Sequence, residues 1–246
     1  MTLPIWQELL VGVEMTYLRI SPVYWGYGVP QGDGSAVVVI PGFLTTDFYL
    51  GEFRAWLRRI GYSPYFSNIG VNAECPNLLM RMRLTDTIQK AHRATRRKVH
   101  LVGHSLGGVL ARAAAAEMPE RVASVTTLGS PFRGLSVHPS VARTLAAVRE
   151  QILEQHGDRV LPSCYTAACT CNFLQSLMSR IPMKVLQTAI YTKTDGVVDW
   201  QVCMTGDSAI DVEVSATHIG MVFNPLVYSV VAQRLAAAKA RKKKKV

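Results

Sequence analysis

The chain has 246 residues, of which 49% are hydrophobic, and its formal net charge at pH 7 is +10. This length supplies one sizeable core and is too short for two comfortable domains, so we expect a single domain over residues 1–246. The sequence contains no apolar run of the roughly 18 residues that span a bilayer, and its start lacks the basic region of a signal peptide, which predicts a cytoplasmic protein.

Strand-like and helix-like segments alternate along the chain. Residues 3–20 predict an amphipathic helix whose apolar side either packs on the body of the protein, the interpretation we favour, or meets a membrane or a partner. Strands that alternate with helices predict an α/β protein with a doubly wound, mostly parallel sheet of about six strands. The predicted strands are 36–40, 62–66, 99–102, 122–128, 185–191 and 212–214, and the main helices are 50–60, 77–95, 106–117 and 225–238.

A Gly-His-Ser-Leu-Gly sequence at 103–107 falls between a predicted strand and an alanine-rich helix. A serine on so sharp a turn needs very small residues two positions before and after it, and Gly103 and Gly107 satisfy this. The short sequence occurs often by chance, so its weight comes from the strand, turn and helix around it. The pattern predicts that Ser105 is a nucleophile on a tight turn, a nucleophile elbow.

A serine nucleophile requires a base and a carboxylate that orients the base. Two acids, Asp195 and Asp199, follow the strand predicted at 185–191. We choose Asp195, because it lies nearer the strand end and is followed by Gly196, which allows a sharp turn; Asp199 is the alternative acid.

His218 is the histidine best placed to act as the base, because it lies on a loop that leaves the predicted strand at 212–214. His104 is adjacent to the serine but is expected to point away across the turn. The histidines interpreted as ordinary surface or core residues are His92, His100, His138 and His156.

The oxyanion that forms when serine attacks a carbonyl group needs N–H donors. One is expected from the residue after the nucleophile, Leu106, and the other from the loop after the first strand. Position in that loop indicates Phe43, since Pro41 has no N–H.

These motifs, in their order along the chain, resemble those of bacterial lipases and carboxylesterases of the α/β-hydrolase family. The resemblance covers about residues 35–238 and includes the order serine, aspartate, histidine. It differs at 41–42, where many such lipases have His-Gly and this chain has Pro-Gly, which leaves the geometry of the oxyanion loop open. The segments that carry the resemblance are 41–43, 103–108, 128–134, 194–198 and 217–220.

The resemblance implies a serine hydrolase that cleaves carboxylic esters, small or lipid-like, without a cofactor or metal. An acyltransferase would use the same three residues and differ only in the acceptor of the acyl group. A non-catalytic binding protein that retains the fold is the alternative from a different class.

Two segments lie outside the regular alternation. Residues 132–184 are too long for a simple connection and predict an inserted cap or lid, whose apolar residues either pack on the body or line an acyl-binding cleft. Residues 239–246 predict a disordered basic tail that carries six of the net positive charges and offers a peripheral contact with an anionic membrane. Nucleic acid is not an expected partner, because no basic motif with interleaved aromatic residues accompanies the tail.

Five cysteines are an odd number, and reduced thiols are the expectation in a cytoplasmic protein. The spacing of Cys164, Cys169 and Cys171 does not match a structural zinc site. A local disulfide, such as one from this group to Cys203, is the alternative.

Overall fold

The structure is a computed structural model that describes residues 3–166 and 168–243, with side chains as far as residue 238. Of residues 239–246, predicted to be a disordered tail, 239–243 belong to the helix Pro225–Lys243, and 244–246 lie outside the described residues. Within the described part of the chain, none of the helices is both long and apolar enough to cross a bilayer.

Six parallel strands form one sheet in the order β2-β1-β3-β4-β5-β6. This confirms the predicted doubly wound sheet. The predicted strands agree with the observed ones to within two residues at every end. The strands are β1 Ala36–Ile40, β2 Ser63–Phe66, β3 Val99–His104, β4 Val122–Leu128, β5 Leu186–Tyr191 and β6 Asp211–Glu213.

Helices cover both faces of the sheet. Successive side chains of a strand point to opposite faces, so Val37 and Val39 of β1 join one core and Val38 and Ile40 join the other. The helices are α1 Val11–Ile20, α2 Gly51–Arg59, α3 Pro76–Leu79, α4 Thr85–Thr95, α5 Leu106–Glu117, α6 Pro139–His156, α7 Asn172–Met178 and α8 Pro225–Lys243. The core that contains Val37 and Val39 includes residues of α1, α2 and α8, and the core that contains Val38 and Ile40 includes residues of α4, α5 and α7.

The helix predicted over 77–95 is divided into α3, a π-helical turn at Met80–Leu84 and α4. The segment between β4 and β5 contains α6 and α7. In α7, Phe173 and Leu177 are buried in the same core as α5, so these apolar residues of the segment 132–184 pack on the body of the protein. Whether 132–184 acts as a cap stays a prediction.

The N-terminal segment corrects one expectation. It begins with a 3-10 helix at Ile5–Leu10 and continues as α1, and its apolar side faces outward: Trp6 is 66% exposed and Leu9 is 84% exposed, while Glu8 is 7% exposed. Leu18 does pack in the core, but Trp6, Leu9, Val13 and Tyr17 are exposed, so the prediction that this side packs on the body is wrong for most of its residues. The pattern assumed that apolar residues face inward, whereas inward positions of this segment belong to Glu8 and Glu14, which bind backbone N–H groups of the loop at 217–219.

The five cysteines are free thiols. Cys75 and Cys164 lie in one hydrophobic cluster and Cys203 lies in another. The structure therefore does not contain the disulfide considered between the Cys164 group and Cys203.

The strand order reverses between β1 and β3, because β2 lies to one side of β1 and the later strands lie to the other. In open α/β sheets, ligands bind outside the carboxyl ends of the strands at such a switch point. This is where the loop with Phe43 and the turn with Ser105 lie.

Candidate active site

Ser105 lies on the turn between β3 and α5, with φ 52° and ψ −125°. Positive φ is unusual for a residue with a side chain, and such strain persists only where the surrounding structure enforces it. The backbone N–H of Ser105 donates to the carbonyl of Leu128 at the end of β4, 2.8 Å away. The strained conformation is thus tied to the neighbouring strand.

Glycines on both sides of the serine allow close contact between backbones. A Cβ on Gly103 would collide with the backbone of Gly107 and Gly108, and a Cβ on Gly107 would collide with the carbonyl oxygens of Ile40 and Pro41. The turn therefore packs directly against the end of β1. This agrees with the sequence-based reason for expecting glycine at both positions.

Asp195 and His218 form a buried pair. Asp195 Oδ2 lies 2.7 Å from His218 Nδ1, and the two side chains are 1% and 4% exposed. The other oxygen, Oδ1, accepts hydrogen bonds from the N–H groups of Val197 and Val198, which fixes the orientation of the carboxylate. Asp199 instead accepts from the N–H of Gln201 and begins the 3-10 helix at Trp200–Cys203. Of the two acids considered, Asp195 is the one that contacts the imidazole.

The environment of His218 raises its pKa. Burial acts to lower the pKa, but the charge of Asp195, the hydrogen bond that His218 donates to Asp195 and the charge of Glu8 act in the opposite direction and prevail. The pair is thus arranged to stabilise a protonated imidazole. This is what a base needs when it takes a proton from serine.

We expected His104 to point away from the site, and this expectation is wrong. Its ring centre lies 4.9 Å from that of His218, and its Nε2 lies 2.9 Å from the carbonyl oxygen of His218. The ring occupies the space beside Gly42, where a Cβ would lie 3.1 Å from His104 Nδ1. Burial is the larger cause, and the nearby His218 the next, of a lowered pKa of about 3 for His104. The imidazole of His104 is therefore neutral.

Ser105 and His218 line one cavity of about 300 Å³. The described residues contain no hydrogen bond between Ser105 Oγ and the imidazole, and such contacts are often longer before substrate binds. The walls of the cavity are mainly apolar and include Leu135, Val141, Leu145 and Ile219. The cavity therefore combines a reactive pair and a hydroxyl with space for an apolar group.

The two predicted oxyanion donors lie at the same cavity. Leu106 is the first residue of α5, where N–H groups have no partner within the helix. Phe43 lies in the loop after β1, and its N–H forms no hydrogen bond within the described residues.

Sequence reasoning missed two residues beside the pair. A Cβ on Gly129 would lie 3.1 Å from His218 Nδ1 and 3.3 Å from Asp195 Oδ2, so the absence of a side chain leaves room for the pair. The carboxylate of Glu8 accepts hydrogen bonds from the N–H groups of Gly196 and His218. An acid in an otherwise apolar segment was the available signal for Glu8, but its partners lie far away in the sequence.

Comparisons with known proteins concern the fold and part of the sequence. The family described as "alpha/beta hydrolase fold" matches residues 92–202. Triacylglycerol lipases from Pseudarthrobacter phenanthrenivorans and Burkholderia plantarii are each 34% identical over 111 residues, which cover 40% of this chain and 33% and 30% of the relatives. The match thus spans about a third of the length of these relatives.

Solved structures show the same fold at low sequence identity. Aspergillus fumigatus lipase B has a TM-score of 0.57 and 15% identity over 87% of this chain and 53% of the lipase. DcsB, solved with its substrate analogue, has a TM-score of 0.56 and 16% identity over 85% of this chain and 92% of DcsB. The chain has the α/β-hydrolase fold, and part of it is similar to triacylglycerol lipases.

Proposed function

We propose that the chain is a serine hydrolase of carboxylic esters with lipid-like acyl groups. The observation that carries the proposal is the convergence of Ser105, on its strained turn, and the buried Asp195–His218 pair on one apolar cavity. Three distant parts of the chain supply the nucleophile, base and acid that acyl transfer requires.

The reaction would begin when Ser105 Oγ attacks the ester carbonyl carbon. His218 accepts the serine proton while Asp195 holds the imidazole in position, and the carbonyl oxygen becomes an oxyanion that accepts hydrogen bonds from the N–H groups of Phe43 and Leu106. When the tetrahedral intermediate collapses, the bond to the alcohol breaks and His218 returns the proton to that alcohol. Water, deprotonated by His218, then attacks the acyl group and releases the acid from Ser105.

Acyl chains of lipid-like esters suit the walls of the cavity. Val141 and Leu145 of α6 and Leu135 before it are apolar, and the curated relatives are triacylglycerol lipases. Burying methylene groups against such walls favours longer acyl groups over acetate. Contact between the basic tail at 239–246 and a membrane stays a prediction, because the side chains of that segment are outside the described residues.

Labelling with a fluorophosphonate tests the proposal without knowledge of the natural substrate. We expect the wild-type chain to be labelled and to hydrolyse p-nitrophenyl esters, and Ser105→Ala to do neither. Ser130→Ala is the matched control, because this nearby buried hydroxyl donates to the carbonyl of Leu128 and has no role in the proposed reaction. Labelling of Ser105→Ala at the wild-type rate, or no labelling of the wild type, would contradict the proposal.

The same assay separates hydrolysis from acyl transfer. Product analysis with an added alcohol measures the share of acyl groups that water receives. A product that is mainly the free acid supports the hydrolase, and one that is mainly the new ester supports the acyltransferase.

A further inference from the structure

The acid and the histidine of the buried pair lie on separate loops, one after β5 and one after β6. A single side chain from the N-terminal segment joins these loops. Glu8 Oε1 accepts hydrogen bonds from the N–H groups of Gly196 and His218, both at 3.0 Å, and Oε2 accepts from the N–H of Ile219 at 2.8 Å. We propose that Glu8 is a positioning residue that sets the distance between Asp195 and His218. This inference rests on the proposed function, in which the two residues serve as acid and base.

The bridge is specific, because its contacts lie next to the reactive residues. Gly196 directly follows Asp195, and the second donor is the backbone of His218 itself. Hydrogen bonds to a carboxylate are stronger than those between neutral groups, and burial protects them from water. Glu8 is 7% exposed.

The acid loop also fits closely around this bridge. A Cβ on Gly196 would lie 2.7 Å from the carbonyl oxygen of Pro4 and 3.0 Å from Glu8 Oε1. Glycine at 196 is thus explained by the approach of the N-terminal segment. The two segments, 188 residues apart at Gly196 and Glu8, are built to contact each other.

Glu14 offers a natural comparison on the same segment. Its carboxylate accepts hydrogen bonds from the N–H of Thr217, at 3.0 Å, and from the hydroxyl of Thr217, at 2.6 Å. These contacts hold the histidine loop alone, whereas Glu8 also holds the acid loop. If bridging matters, a change at Glu8 should affect the pair more than the same change at Glu14.

Besides its hydrogen bond to the backbone of His218, Glu8 has a negative charge that raises the pKa of His218. The groups that face His218 are Asp195 from the acid loop, Glu8 from the N-terminal segment and His104 from β3. On the neighbouring residues, Glu14 binds Thr217, and the hydroxyl of Tyr49 donates to the carbonyl of Ile219. His104 and Tyr49 are neutral near pH 7, because burial lowers the pKa of His104 and raises that of Tyr49. Removing the charge of Glu8 therefore destabilises the protonated imidazole, so His218 loses its proton at a lower pH.

Glu8→Gln tests the inference, with Glu14→Gln as the matched control, both in the full chain. Glutamine keeps one acceptor oxygen but removes the charge and places an amide NH2 group against a backbone N–H. We expect Glu8→Gln to reduce kcat by about ten- to hundredfold and to move the acid limb of the kcat/KM profile to lower pH. Glu14→Gln should change kcat only a few-fold and leave the midpoint in place.

Proton NMR provides a readout that does not depend on turnover. The downfield resonance of the proton between His218 Nδ1 and Asp195 reports the pair directly, and its titration gives the pKa of His218. We expect a shifted resonance and a lower midpoint in Glu8→Gln and a wild-type spectrum in Glu14→Gln. If the wild type neither labels nor hydrolyses esters, the proposed function fails, whereas the NMR titration still decides whether Glu8 positions the pair.

Glu8→Asp keeps the experiment decisive if Glu8→Gln does not fold. Aspartate retains the charge but is shorter by one methylene group, so we expect a midpoint near that of the wild type and reduced kcat. Wild-type kcat in Glu8→Asp, an unchanged midpoint and resonance in Glu8→Gln, or equal effects at Glu8 and Glu14 would each overturn the inference.

Discussion

Ser105 and His218 line the same cavity, but they are held there in different ways. The strained turn at Ser105 depends on glycines within three residues of it and on the adjacent ends of β1 and β4. His218 depends on Asp195, 23 residues away, and on Glu8, 210 residues away. One half of the site is encoded by a short motif, while the other is assembled from distant parts of the chain. Changes far from the cavity should therefore affect the second half more.

The largest expected effect tests whether the two halves work as one unit. Ser105→Ala and His218→Ala should each reduce kcat by about a millionfold, because the proposed nucleophile and the proposed base would act together. The double variant should be no worse than either single variant. Steady-state kinetics with a p-nitrophenyl ester measure all three, and multiplied losses in the double variant would show that the halves act independently.

A smaller loss is expected when the orienting acid is changed. Asp195→Asn should lower kcat by up to about ten-thousandfold, because an amide at this position favours the wrong imidazole tautomer. Asp199→Asn is the control and should cost far less, since Asp199 contacts the backbone of Gln201 rather than the imidazole. Comparison of kcat for the two variants decides the assignment, and the opposite ranking would transfer the role to Asp199.

The cavity should confer a moderate preference for medium-length acyl chains. If two or three methylene groups are newly buried, kcat/KM for such esters should exceed that for acetate by about ten- to fiftyfold. Val141→Phe, which fills the cavity from α6, should remove most of this preference. Ala142→Phe adds the same ring at the next, exposed position and should leave the preference intact. Activity in the wild type that falls steadily from acetate upward would indicate a short-chain esterase.

The smallest expected effect is a shift in pH dependence. His218 must be neutral to act as a base, and its pKa is raised above the ordinary value of 6.5. Activity should therefore appear as pH rises through a midpoint above about 6.5, the value for free histidine. His92→Gln, at a half-buried position on α4 where the ring contacts the carbonyl of Arg97, should not alter the kcat/KM profile. A wild-type midpoint at or below that of free histidine would contradict the role of Asp195 and Glu8 in stabilising the imidazolium.

The same division explains which features the sequence could predict. The six strands and the turn at Ser105 follow from local patterns, namely apolar runs and glycines at fixed spacing, and they were located to within a few residues. Asp195 could be chosen over Asp199 from its position after β5, although the pairing itself needed the structure. The contact between His104 and His218 could not be found, because it depends on how the loop after β6 meets the end of β3.

The orientation of the N-terminal segment was missed for a different reason. Hydrophobic periodicity assumes that apolar residues face inward, and here the inward positions belong to Glu8 and Glu14. Their carboxylates satisfy backbone N–H groups of the active-site loops, and a buried donor without a partner costs free energy comparable to a lost hydrogen bond. Periodicity contains no information on such distant donors.

The contact between Glu8 and His218 has a consequence for the order of folding. It closes a loop of 210 residues, whereas β3, the turn at Ser105 and α5 are contiguous. Contacts between distant residues cost more loop-closure entropy than contacts between residues close in sequence, and they are associated with slow folding. Ser105 can thus reach its strained conformation before Glu8 and His218 come into contact. Hydrolytic competence should arise later than the formation of the turn at Ser105, when the segment that carries Glu8 meets the loop that carries His218.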